Sequence, residues 1–421
     1  MTLRGAPSSD KAINLVIGGG QAGARAVQGM IEAGFSGRIE VIGSEPIAPY
    51  ERPPLSKDAL VAAAEPGPKL ILENDFYARH GVVMALGEAA IDLDPTRRIV
   101  TTSGGRKTAY DRLLLATGSR PRRLRIPGSE RTDVFYLRTF ANSVALRHRL
   151  QAGCRVAIVG AGLIGLEVAA AARQLGCEAS VVEAADHVLS RVADRAVATY
   201  VMSHHLARGV RVLTGAAPIA IVGDAAPILE LADGRRVEAD VIVVGIGVEP
   251  LAAVAARAGL AVDDGVLTDP CCVTSDPHIF AAGDVARRLD PALGRHVRLE
   301  TWQNAQDEGL AAGRGMAGAP TPCRDAPWAW SDQFDLNIQI AGSGTAEPGA
   351  DLVRRGDVET GSFTTFALVA RRLIGAITVN RGRDMAIARR MIGLARTFES
   401  ADLADETLPL RRLLTADAFV D

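Results

Sequence analysis

The chain is poor in aromatic residues, in lysine and in cysteine. Phe, Trp and Tyr make up 4% of its 421 residues, too few to supply the stacking platforms that grip single-stranded nucleic acid. Only four of its 47 basic residues are lysines, and 49 acids bring the net charge to −2, so no global basic field points to nucleic acid. Five cysteines, at 154, 177, 271, 272 and 323, are few and odd in number. They argue against a disulfide framework and for a reducing, cytoplasmic setting. The vicinal Cys271-Cys272 pair is expected to be small core residues at a strand start, since adjacent cysteines close a disulfide only with strain. Neither the cysteines nor the seven histidines show metal-ligand spacing, and His204-His205, on a predicted helix, is expected at the surface. The greasiest stretch, 241–262, contains Glu249, Pro250 and Arg257 and so is no membrane span. Residues 1–11 lack the apolar core of a secretory leader, and the absence of a Gly-x-Ser-x-Gly elbow leaves a hydrolase reading without support.

What is present is an ordinary globular composition, 48% apolar and 23% charged, at a length that suits two or three domains. The first clear element is the apolar run Ile13 to Ile17. Gly18-Gly19-Gly20-Gln21-Ala22-Gly23 follows, then a helical stretch expected over Ala24 to Ala33, then a strand, Arg38 to Gly43, ending at Ser44-Glu45. This is a βαβ unit with a Gly-x-Gly-x-x-Gly turn. It recurs as strand Arg155 to Val159, turn Gly160-Ala161-Gly162-Leu163-Ile164-Gly165, helix Leu166 to Leu175, and strand Ala179 to Val182 closed by Glu183. The segment Tyr110 to Gly118 reads as a buried strand ending in a glycine turn, and Ala239 to Gly247 as its counterpart in the second unit. After Pro320, alternating segments such as 337–340 and 362–366 predict antiparallel strands of a smaller third domain.

Each glycine turn has a strand before it, a helix after it and an acid at the end of the next strand, the context that gives the motif meaning. The first glycine allows the tight turn, the second lets backbone approach a pyrophosphate, and the third lets helix and strand pack closely. The phosphates then sit at a helix N-terminus, where free N–H groups and the dipole favour negative charge. Two copies predict two dinucleotides. A carboxylate at Glu45 or Glu183 accepts hydrogen bonds from ribose hydroxyls and repels a 2′-phosphate. Glu183 is followed by Ala184-Ala185 with no adjacent arginine, so NADH is expected over NADPH.

More specific motifs accompany the turns: Pro49-Tyr50-Glu51-Arg52-Pro53-Pro54-Leu55-Ser56-Lys57, Ala116-Thr117-Gly118, Tyr136-Leu137-Arg138-Thr139, Ala281 to Val285, Arg298 to Ala305 and Pro327 to Gln333. On these the sequence resembles the FAD-dependent NADH:ferredoxin reductases of bacterial oxygenase systems, the putidaredoxin reductase and aromatic-dioxygenase reductase type, over nearly the whole chain. The resemblance implies an α/β fold of the glutathione reductase-like, pyridine nucleotide-disulfide oxidoreductase kind. Two Rossmann-like domains would bind FAD (1–118 and 248–323) and NAD (119–247), followed by a C-terminal α+β domain (324–421). It implies FAD at Gly18, Gly20, Ala22, Gly23, Glu45, Arg52, Lys57, Ala90, Arg138, Asp284 and Trp302. It implies NAD at Gly160, Gly162, Ile164, Gly165, Glu183 and Gly247. Lys57 and Glu167 would form an ion pair beside the flavin, Lys57 stabilising negative charge on the reduced ring and Glu167 balancing it at rest.

The implied activity passes electrons from NADH through FAD to a [2Fe-2S] ferredoxin that serves a cytochrome P450 or Rieske-type oxygenase. Rubredoxin reductase, a diaphorase, or a redox-controlled binding flavoprotein like apoptosis-inducing factor remain alternatives. Disulfide reductases of the broad fold need a cysteine pair early in the chain, and here no cysteine precedes Cys154. A monomer or homodimer is compatible with the pattern. Acidic ferredoxins call for a local basic patch. The window 371–396 offers one, with Arg371, Arg372, Arg381, Arg383, Arg389, Arg390 and Arg396 against Asp384 alone.

Overall fold

The computed structural model describes residues 12–291, 294–323, 326–394 and 396–415. Residues 1–11, on which the leader expectation rests, lie outside the described residues. The chain divides into two compact units. One comprises Met1–Glu51, Pro68–Arg120 and Val248–Arg324; the other comprises Arg52–Gly67, Pro121–Gly247 and Asp325–Asp421.

In the first unit the strand Ile13–Ile17 lies at the centre of a five-stranded parallel sheet. On one side are Arg38–Gly43 and Val83–Leu86, on the other Arg112–Leu115 and Ile279–Ala281. These strands are mostly apolar because both faces are covered: Leu15, Val16, Leu113 and Leu114 have no exposed surface. The helix Gln21–Glu32 packs against the helix Trp302–Met316 at backbone distance, since a Cβ on Gly313 would lie 2.2 Å from the Ala26 carbonyl oxygen.

The second unit repeats this sheet, with Arg155–Val159 central, Glu178–Val182 and Arg211–Leu213 on one side, and Val241–Val244 and Val134–Tyr136 on the other. The two sheets differ in their outermost strand, which comes from late in the chain in the first and from before the central strand in the second. The same unit carries an antiparallel five-stranded sheet, Trp328–Gln333, Leu336–Gly342, Arg372–Val379, Ser362–Val369 and Asp351–Asp357 in spatial order. Met385, Ala388 and Met391 of the helix Gly382–Ile392 join Phe366 and Leu368 in its core. The architecture is thus α/β with two Rossmann-like domains and a C-terminal α+β domain. No helix among the described residues is long and apolar enough to cross a membrane.

Three sequence expectations shift. Both dinucleotide-turn helices start about one turn early, at Gln21 and Leu163, because Gly23 and Gly165 lie inside the first helical turn. A Cβ at either would stand 2.0 Å from the carbonyl oxygen of Gly18 or Gly160. The histidine pair is not on the surface: His205 is fully buried, and His204 lies against Asp335 at 2.8 Å. Their helix, Arg195–Ala207, turns them under Phe334 and Gln333 of the antiparallel sheet. Cys272 is buried as expected but occupies a turn at φ +67° instead of a strand start.

Candidate functional site

The first glycine turn leaves the sheet with Gly18 at φ +125°, and a Cβ there would lie 2.0 Å from the Ala116 carbonyl oxygen. Only glycine satisfies both conditions. At Gly20 the situation reverses: nothing lies within 4 Å of an added Cβ. Gly20 caps the helix without any side-chain bond, leaving first-turn N–H groups free. Both polar atoms of the Gln21 amide are buried with no partner among the described residues. A cradle of bare N–H groups with an unsatisfied buried amide beside it fits an anionic dinucleotide. Glu45, at the end of the neighbouring strand, accepts the Tyr50 hydroxyl at 2.6 Å. Ala90 opens a strand and is half-buried. Trp302 is the first residue of its helix, whose N–H at Asn304 is capped by Thr301 Oγ1 at 3.2 Å.

Asp284 accepts a bond from Ser119 Oγ at 2.6 Å. The turn that carries it is held from below by Glu308, a residue sequence reasoning missed. Glu308 accepts the Gly283 N–H at 2.8 Å on one oxygen and Arg288 Nε at 3.0 Å on the other. Burial pushes its carboxyl up to about 7 against the pull of Arg288. Its only sequence signal was an acid within an otherwise small-residue helical face.

In the second unit Gly160 sits at φ +104°, with a Cβ position 2.4 Å from the Gly245 carbonyl oxygen, while Gly162 again faces open space. Gly162 caps its helix with no side-chain bond. Glu183 accepts the Ala161 N–H at 2.6 Å and the Ala185 N–H at 2.8 Å, so it braces the glycine turn itself. Each carboxylate oxygen keeps a lone pair for a further donor. Gly247 adopts φ +94° beside the Arg191 guanidinium. Ile164 and Ile246 present 47% and 37% of their surface, apolar side chains at the mouth of a polar cradle.

Lys57 and Glu167 do meet within this unit: Lys57 Nζ lies 3.2 Å from Glu167 Oε1 and 3.4 Å from Asp332 Oδ2. Glu167 is 5% exposed. Ser331 Oγ donates to its Oε1 at 2.5 Å and Ser56 Oγ donates to its Oε2. Burial pushes the Glu167 carboxyl up, and Lys57 with the two serines pulls it back. A cleft of about 220 Å³ opens onto the pair, lined also by Asp58, Gln174 and Phe334. Lys57 stands 5.5 Å over the Trp330 ring, Trp330 stacks on Trp328 at 5.1 Å, and Arg389 covers Trp328 at 5.0 Å. Arg52 Nη1 donates to the Arg138 carbonyl at 2.6 Å. Arg52, Lys57 and Arg138 therefore belong to the second unit, and the remaining residues of the FAD set to the first.

The basic window 371–396 is partly neutralised in three dimensions. Arg371 pairs with Glu399, and Arg381 pairs with Asp384 and Glu406. Arg372, Arg383 and Arg390 remain exposed.

Two parallel sheets, each opening on an uncapped glycine turn, define an α/β protein built to hold two dinucleotides. The chain belongs to the pyridine nucleotide-disulphide oxidoreductase family, whose pattern spans residues 14–309, and a reductase C-terminal domain follows over 328–414. It is 39% identical over 403 residues to the anthranilate 1,2-dioxygenase system ferredoxin–NAD(+) reductase component of Burkholderia cepacia, covering 95% of this chain and 98% of that one. It is 36% identical to rhodocoxin reductase of Rhodococcus erythropolis over 94% of this chain and 93% of the other. Among solved structures, the ferredoxin reductase for the CYP199A2 system of Rhodopseudomonas palustris superposes with a TM-score of 0.92 at 35% identity, covering 96% of this chain and all of that one. The reductase in the covalent putidaredoxin reductase–putidaredoxin complex does so with a TM-score of 0.92 at 31% identity, covering 98% and 100%.

Proposed function

We propose that this chain is an FAD-containing, NADH-dependent ferredoxin reductase that supplies electrons to a [2Fe-2S] ferredoxin serving a cytochrome P450 or Rieske-type oxygenase in the cytoplasm. The observation that carries the reading is the pair of open glycine cradles, at Gly20 and Gly162, in one chain with a reductase C-terminal domain. Bound flavin supplies the conversion between a two-electron donor and a one-electron acceptor. The protein's part is to bind and to set charge. Gly18, Gly20, Ala22 and Gly23 leave room and N–H groups for the FAD pyrophosphate, Glu45 takes the ribose hydroxyls, and Ala90, Asp284 and Trp302 complete that side. Gly160, Gly162, Ile164, Gly165, Glu183 and Gly247 do the same for NADH. Lys57, balanced by Glu167, tunes the flavin, and Arg52 and Arg138 support its segment. The proposed division is 1–118 with 248–323 for FAD, 119–247 for NAD and 324–421 for the partner-facing domain.

The test is turnover of a [2Fe-2S] ferredoxin by the yellow holoenzyme. NADH is expected to exceed NADPH in kcat/KM by at least about tenfold, because Glu183 carries negative charge where a 2′-phosphate would sit. A preference for NADPH would refute the assignment of Glu183. Slow turnover with partner affinity that depends on NADH would favour a binding flavoprotein instead. For the docking surface we propose Arg371, Arg372, Arg383, Arg389 and Arg390. Reversing Arg389 and Arg390 to Glu is expected to lower kcat/KM for ferredoxin about tenfold at low salt, while NADH reduction of a small dye stays unchanged. Equal loss of both activities would remove this surface from the dock.

A further inference from the structure

Within the second unit a buried hydrogen-bond chain runs from the helix Arg195–Ala207, through the strand Trp328–Gln333, to the Lys57–Glu167 pair. His205 Nε2 lies 2.9 Å from Gln333 Oε1, Gln333 Nε2 lies 3.0 Å from Ser331 Oγ, and Ser331 Oγ lies 2.5 Å from Glu167 Oε1. His205, Gln333 and Ser331 have no exposed surface, so bulk water does not compete for these links. Ser331 and Gln333 reach one another because residues two apart on a strand share a face.

The direction of every bond follows from one charge. The ion pair with Lys57 requires the carboxylate form of Glu167, which only accepts. Ser331 must then donate to Glu167, which leaves its oxygen to accept from Gln333. Gln333 therefore turns its NH₂ toward Ser331 and its carbonyl toward His205, and His205 must donate through Nε2–H. Its Nδ1 is buried without a partner among the described residues. An imidazolium would thus bury an unpaired N–H, and burial accordingly pushes His205 down to about 4.

We propose that His205 is a positioning residue for the Lys57–Glu167 pair: through Gln333 it holds the Ser331 hydroxyl pointed at Glu167 and so keeps the pair charged. This rests on the reading of that pair as the flavin-tuning element. Other charged groups nearby do not replace the relay. His204, on the same helix as His205, and Arg208, at its C-terminal cap, both turn to Asp335. The Phe334 ring covers the imidazole edge at 5.1 Å. Asp332 bears on Lys57, and Asp58 lines the cleft beside it. Without the relay Gln333 is free to rotate and present its carbonyl to Ser331, the hydroxyl can turn away from Glu167, and Glu167 is easier to protonate.

The experiment uses the FAD-loaded holoenzyme. Histidine ¹⁵N resonances should show His205 as the neutral Nε2–H tautomer at every pH from about 5 to 8; an imidazolium or an Nδ1–H tautomer at neutral pH overturns the proposal. In His205→Phe, which keeps the ring and removes the donor, the inflection in the pH dependence of the bound flavin's midpoint potential should move up by about one unit. His205→Gln, which returns an N–H donor near the same place, should restore it. A His205→Phe profile that superposes on the parent refutes the relay. Glu167→Gln measured in parallel separates the two readings. If it too leaves the profile unmoved, the pair does not tune the flavin and the relay falls with it. If it moves the profile and His205→Phe does not, only the relay is wrong. Should His205→Phe fail to fold, the tautomer of the parent protein still decides.

Discussion

A Gly162→Val variant is expected to fold, keep its flavin and melt like the parent to within about 1 kcal/mol of stability, yet lose at least about a hundredfold in kcat/KM for NADH. Gly162 has φ −78°, which any residue adopts, and no atom lies within 4 Å of its Cβ position. The new side chain therefore meets nothing in the protein and occupies the space into which a pyrophosphate must come. Gly160→Val is the contrasting case. Its φ of +104° and a Cβ position 2.4 Å from the Gly245 carbonyl oxygen make the substitution incompatible with the turn, and loss of the folded protein is expected. Calorimetry and steady-state kinetics on the two variants separate a binding role from a packing role. An unchanged KM for NADH in Gly162→Val would mean that the second cradle does not receive the nicotinamide.

Replacing Arg288 by Met is expected to cost about 3–5 kcal/mol at pH 8, because it leaves the Glu308 carboxylate buried without its cation. Arg288 and Glu308 are 5% and 2% exposed. The effect carries a pH signature. Burial holds the Glu308 carboxyl near 7 in the folded protein, above its ordinary value of 4.5. The native state therefore binds more protons than the unfolded one between those values, and stability falls as pH rises through that window. Without Arg288 the folded value climbs further and the decline continues to higher pH. Of the other groups facing Glu308, Asn304 helps hold the ionised form, whereas Cys272 and Cys323 supply no positive charge. The stability gap between Arg288→Met and the parent should thus be large at pH 8 and shrink toward pH 5, where Glu308 is protonated in both. A gap that stays constant with pH would show that Arg288 acts by packing. Flavin should also bind more weakly in the variant, since Glu308 holds the Gly283 N–H next to Asp284.

Much of this was legible in the residues themselves. The strand Arg155–Val159 has the bounds that the sequence predicts, its apolar run Val156 to Val159 following one arginine. Both glycine turns follow their strands directly, because the phosphate-binding geometry needs a strand, three glycines and a helix in immediate succession. The helix starts were misplaced because glycine reads as a breaker, whereas Gly23 and Gly165 are inside the helix for lack of space. His205 was read as surface because a histidine pair on a helix carries no mark of the sheet that comes to cover it. The basic window 371–396 looked unopposed because its partners, Glu399 and Glu406, follow it in the chain and fold back onto Arg371 and Arg381.

Local succession alone therefore determined the two cradles, their acids and the class of cofactor they suit, since those depend on residues within one βαβ unit. Tertiary structure decided which distant groups share a low-dielectric interior. Glu308 holds Gly283 across 25 residues, and His205 reaches Glu167 only through Gln333 and Ser331, by bonds that span 128 and 164 residues. Burial and pairing set their charges, and neither is a property of any short stretch of chain.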